Sequence, residues 1–113
     1  MSQHEIHEIE ANMKDLQEMI DLESSLMKLR KNKDFKKVIE KEYLEQEAVR
    51  LVHLKADSNM QDEHMQARIV KQIDSIGNFT AFLDLIMQKA DAARDALNEC
   101  EELRAELEQE SEE

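Results

Sequence analysis

Apolar residues recur every seven positions through most of the second half of the chain. Ile69, Ile76, Leu83, Ala90 and Leu97 stand seven apart, and Phe79, Ile86, Ala93, Cys100 and Leu107 form a second series three residues behind the first. Two interleaved series of this kind are the a and d positions of a coiled-coil seam. The predicted helix runs from about 60 to 109 and spans roughly 75 Å at 1.5 Å per residue. A seam of that length must protrude, be covered by the other helices, or pair with another chain.

Two shorter amphipathic stretches precede it. Ile6, Ile9, Met13, Leu16 and Ile20 follow a three-and-four spacing that predicts a first helix over about 2–30. Beyond Ile20 the apolar row moves to Met19, Leu22, Leu26 and Leu29, because Glu23 and Arg30 occupy the heptad positions. The polar run Lys31-Asn32-Lys33-Asp34 predicts a tight connection capped by Asn32 or Asp34. A second helix over about 34–56 carries Phe35, Val38, Ile39, Tyr43, Leu44, Ala48, Leu51 and Val52, a stripe that rotates near Tyr43. Asp57-Ser58-Asn59 marks the next turn, where Ser58 and Gln61 match a capping box opening the long helix. Gly77 lies inside that helix, and at a cost near 1 kcal/mol relative to alanine it predicts a kink or a close backbone contact. Past Leu107 no apolar residue remains, so the acidic C-terminus is expected to fray.

The expected fold is all-α: a single helical domain over 1–113, built as a three-helix antiparallel bundle with a long C-terminal coiled-coil helix. Short connections fold the second helix back along residues 60–83. The first helix can join that pair or lie along residues 84–110. The second course brings its acidic beginning toward the acidic end of the long helix, so the bundle is preferred. That choice leaves Ile86, Ala90, Ala93, Leu97, Cys100 and Leu107 uncovered as an oligomer or partner interface, with the small alanines allowing close helix approach.

Composition agrees with helices throughout. There is no proline and one glycine, and the helix formers Glu, Lys, Leu, Met, Ala and Gln are in excess. The single cysteine cannot form an internal disulfide and reads as a small core residue in a reducing compartment. No stretch of 18 apolar residues occurs and the amino terminus is acidic and periodic, so a cytosolic chain without a membrane segment is expected. The net charge of −12 argues against broad affinity for nucleic acid or anionic lipid. Its distribution is uneven: residues 24–41 hold seven bases and two acids, whereas 99–113 hold eight acids and one base. Lys28, Arg30, Lys31, Lys33, Lys36 and Lys37 make a basic collar on an otherwise acidic chain, able to receive the acidic tail of another copy.

Candidate chemistry is sparse. His4 and His7 stand three apart with Glu8 nearby, but two further metal ligands are not evident, and the spacing is not that of a zinc protease helix. His53 and His64 flank the second turn as ordinary surface or interfacial residues. Carboxylate pairs such as Asp91/Asp95 and Glu102/Glu106 lack the enclosing pocket that would separate their proton affinities. No phosphate loop or nucleophile elbow is present. Neither an enzyme nor a cofactor or metal is expected. Met13, Met19, Met27, Met60, Met65 and Met87 read as core filling before a pliable binding surface. The collar lacks base-stacking aromatics beyond Phe35, which disfavours direct nucleic-acid binding.

The run Lys31-Asn32-Lys33-Asp34-Phe35-Lys36-Lys37-Val38-Ile39, continued by Glu47-Ala48-Val49-Arg50-Leu51-Val52 and Gln72-Ile73-Asp74-Ser75-Ile76-Gly77, resembles small helical proteins encoded by tailed bacteriophages. The similarity covers about residues 26–85. It implies a phage product in the cytoplasm of an infected bacterium or in the virion, acting near assembly, and it carries no residue roles. Together with the seam, it leads to the expectation of a non-enzymatic, oligomeric virion-assembly or virion-associated protein that binds itself and a phage structural protein or a host protein. The −12 charge and the Glu-rich tail support an alternative, an acidic nucleic-acid mimic or adaptor directed at a host protein.

Overall fold

A computed structural model describes residues 2–112, and among them there are helices and turns but no strand. The order is α1 (Ser2–Lys31), a short α2 (Lys33–Phe35), a π-helical segment (Lys36–Glu47), α3 (Ala48–Ala56), a 3-10 turn (Ser58–Met60) and α4 (Glu63–Glu112). Because α2, the π segment and α3 run on without a break, the chain has three helical stretches, the last being the longest. The all-α class and the long C-terminal helix are as the heptads predict. α4 is helical to Glu112, beyond Leu107. The terminal Glu113 lies outside the described residues.

The first connection turns on Asn32. Its backbone is extended, and its side-chain oxygen accepts from the amides of Asp34 (2.9 Å) and Phe35 (3.0 Å), satisfying two of the donors a helix start leaves open. The basic last turn of α1, with Lys28, Arg30 and Lys31, complements the negative end of that helix's dipole.

The second connection differs from the predicted capping box. The Asp57 side chain accepts from the Asn59 amide, and that of Asp62 accepts from the His64 and Met65 amides, so α4 opens at Glu63 under an aspartate cap. A carboxylate makes charge-assisted bonds at the positive end of a helix, where a serine hydroxyl makes neutral ones. Gln61 turns away from its predicted role and donates to the carbonyls of Lys55 and Asp57, while Gln66 donates to those of Lys55 and Met60.

The chain divides into two compact units. The first takes the described residues up to Leu26 and those from Leu85 onward; the second takes Met27–Asp84. In the second unit the α3 end of the hairpin returns along the start of α4. Leu51, fully buried, meets Ile69 and Ile76, and Tyr43, Leu44, Ala48, Leu54, Met60 and Ile73 pack around them. The Tyr43 ring stands edge-on to Phe79, with centroids 5.9 Å apart and planes at 88°.

Along the π segment and the residues that flank it, the half-buried Phe35, Ile39, Glu40, Tyr43, Leu44, Glu47 and Ala48 are spaced by fours and fives. Bonding from i to i+5 takes more than four residues per turn, so those spacings keep one face inward. The rotation of the stripe near Tyr43 has this winding as its physical basis.

In the first unit α1 runs antiparallel to the distal part of α4. Glu23 pairs with Arg94, the Asn12 amide donates to the Cys100 sulfur at 3.6 Å, and Glu10 lies 3.9 Å from Arg104. The first helix thus takes the disfavoured course, along the distal part of α4. Repulsion between exposed charges amounts to only about 1 kcal/mol at 4 Å in water, less with salt. Burial of one Ile or Leu contributes about 1.5–3 kcal/mol. Arg94 and Arg104 set cations among the facing acids, and Ala90 and Ala93, 0% and 2% exposed, admit the neighbouring backbone.

The predicted shift of the α1 row is overturned as well. Glu23 stays inward, its side chain 13% exposed and held by Arg94, whereas Met19, Leu22 and Leu29 are exposed. An arginine from the facing helix lets the carboxylate keep its heptad place. Leu26 alone of the predicted second row is buried. Nor does Gly77 mark a close contact: a β-carbon there would meet nothing within 4 Å, and α4 continues through it.

Candidate functional site

The predicted interface row is the first site to place. Ile86, Ala90 and Ala93 are buried, and Leu97, Cys100 and Leu107 are half-buried, all in the unit where α1 lies along α4. They form an internal seam and not an open one. The expectation failed because it sent α1 elsewhere, and with it the surface meant for another chain.

The basic collar forms a different kind of site. Lys31, Lys33, Lys36, Lys37 and Lys41 line an open concavity of about 470 Å³ beside the Asn32 turn. The turn sets Lys31 at the end of α1 and Lys33 at the start of α2, on either side of a capped backbone. The π segment then carries Lys36, Lys37 and Lys41, where spacings of four and five fall together. Lys28 is exposed outside this concavity, and Arg30 is half-buried. Five ammonium groups around one hollow raise the local potential and attract carboxylate or phosphate groups. Lys41, absent from the core of the predicted collar, becomes legible through its five-residue distance from Lys36 once the winding is known.

Charge pairing elsewhere joins α1 to α4 or stays within one helix turn. Arg94 bridges Glu23 and Asp91, and its hydrogen bond to Glu23 raises its already high pKa. Arg50 pairs with Glu47 one turn away, and that hydrogen bond holds the Glu47 carboxyl below the usual carboxylate range. The His4 ring contacts Glu8 at 3.1 Å on an exposed face, and His53 and His64 are exposed. Among the described residues no group of three His, Cys, Asp or Glu side chains is placed to hold a metal ion, and no helix is long and apolar enough to cross a membrane.

The methionines divide. Met13, Met60 and Met87 are half-buried, while Met19, Met27 and Met65 are 39–42% exposed. Core filling therefore accounts for three of the six. Other large apolar side chains are more open still: Leu22, Val38, Val52 and Phe82 are each more than half exposed. No family model, curated protein or solved structure matches the chain.

Proposed function

We propose that this chain is a non-enzymatic protein-interaction module of a tailed bacteriophage, an oligomeric virion-assembly or virion-associated protein working in the cytoplasm of the infected bacterium. The observation that carries the reading is apolar surface left over after both units have closed their cores. Leu22, Val38, Val52 and Phe82 remain more than half exposed on helices whose inward rows are already packed, and exposed apolar side chains suit a protein contact where they gather into a patch. An antiparallel bundle, expected inside one chain, is then completed between chains, helix pair against helix pair. The lysine concavity supplies a second contact of opposite polarity, suited to an acidic segment of a phage structural protein or of another copy.

The test is quantitative mass spectrometry of particles and assembly intermediates purified from infected cells. The chain is expected in several copies per particle or intermediate. Its absence from both, together with salt-sensitive binding to a cationic host protein that is lost when the Glu-rich tail is neutralised, would replace this reading with the acidic mimic.

A further inference from the structure

The covered row of α4 has a neighbour. One residue before each of Ile86, Ala90, Ala93, Leu97, Cys100 and Arg104 stand Leu85, Lys89, Ala92, Ala96, Glu99 and Leu103. A shift of one residue turns the face by about 100°, so this second row looks out beside the first. Leu85 and Leu103 are 42% and 47% exposed, Lys89, Ala92 and Glu99 are exposed, and Ala96 is half-buried.

The same offset on α1 gives Met19 and Leu22, one residue before the inward Ile20 and Glu23, and they are 39% and 52% exposed. In an antiparallel pair of right-handed helices, an equal offset on both members falls on the same side. The pairings of Glu23 with Arg94 and of Asn12 with Cys100 set Met19 and Leu22 level with the stretch from Ala92 to Ala96. Around Ala92 and Ala96 the first unit therefore presents an apolar patch with small residues at its centre, bordered on α1 by the exposed Glu5, Glu8 and Asp15 of the same offset and on α4 by Lys89 and Glu99.

The order of residues in the second row names its occupant. It is symmetric about Arg94: a leucine nine residues before and another nine after, an alanine two before and another two after, and a lysine five before answered by a glutamate five after. A two-fold axis between antiparallel helices brings each position against its mirror image. We propose that α4 pairs antiparallel with α4 of a second copy through this row, Leu85 facing Leu103, Lys89 facing Glu99 and Ala92 facing Ala96 of the partner.

Electrostatics favours the antiparallel orientation. Parallel pairing in register would set lysine against lysine and glutamate against glutamate, a like-charge penalty at seam positions. It would also bring together two tails that each hold eight acids and one base over residues 99–113, whereas antiparallel pairing sends them to opposite ends. The central alanines permit close approach, and the Lys89 and Glu99 pairs occur twice and set the stagger.

The inference rests on the oligomeric module proposed above and is tested separately from it. Sedimentation equilibrium of the full chain over a range of concentration is compared for the natural sequence, Lys89→Glu, and the exchange Lys89→Glu with Glu99→Lys, with circular dichroism confirming equal helix content. The natural chain is expected to dimerise. The single reversal should weaken the dimer about tenfold or more, and the exchange should restore it to within about threefold. A dimer indifferent to the reversal, or a weakening that the exchange does not rescue, overturns this register while leaving the module intact. A strict monomer that is nonetheless found on particles overturns the dimer alone.

Discussion

The two units of this protein reach a closed core by different means. The Met27–Asp84 unit uses bulk: Leu51, Ile69 and Ile76 at its centre, an aromatic pair beside them, and a π-wound helix whose wide turn keeps Tyr43 and Leu44 inward. The unit formed by α1 and the distal part of α4 uses closeness. Its most buried residues include Ala90 and Ala93, and its long seam is stitched by Arg94 and Arg104 reaching to Glu23 and Glu10. Large side chains tolerate a wider gap between helices, while alanines stabilise only if the backbones come near. The first design is sensitive to what is removed, and the second to what is added.

Substitutions that shrink or enlarge a side chain divide along that line. Leu51→Ala should destabilise the chain by about 2–5 kcal/mol, because a fully buried leucine leaves a cavity; urea denaturation measures the loss. Ala90→Leu should cost about 1–3 kcal/mol by overpacking, and amide exchange should place the lost protection in the α1 and distal α4 segments. An Ala90→Leu chain with unchanged protection there would show that the close approach is not needed. Gly77→Ala acts in the opposite sense: the position is open and helical, so the variant should gain about 0.5–1 kcal/mol. The smallest effect is electrostatic. Arg50→Gln should return the Glu47 carboxyl toward its ordinary pKa in an NMR titration. Since the folded-state value is the lowered one, the pair stabilises above the ordinary carboxylate pKa, and that contribution disappears as pH falls through the lowered value. The variant's stability should therefore converge with that of the natural chain in acid.

Local physics made much of this legible in the sequence. The three helical stretches follow from apolar spacing, and the polar run marked the first turn with either Asn32 or Asp34 as its cap, of which Asn32 takes the place. The heptads of α4 marked its inward row correctly. What covers that row was not legible, since the choice depended on weighing solvent-screened acids against apolar burial, and the former were overvalued. Glu23 misled for a related reason: a carboxylate in a heptad position looks like an interruption until the arginine across from it, 71 residues away, is known. The π winding left a trace in the rotated stripe at Tyr43, but spacing alone does not distinguish a wider turn from a shifted face. Ser58 with Gln61 matched a pattern that two nearby aspartates pre-empted.

The division of the chain also fixes an order of events. The Met27–Asp84 unit is continuous, whereas the other joins the two ends of the sequence. Closing the short loop around the Ser58–Met60 turn costs less chain entropy than bringing residues before Leu26 to those beyond Leu85. The hairpin around that turn should therefore close before α1 meets the distal part of α4. Pulse-labelled hydrogen exchange during refolding should accordingly find Leu51 and Ile69 protected before Ile6 and Ile86, and the reverse order would mean that the ends find each other without the middle.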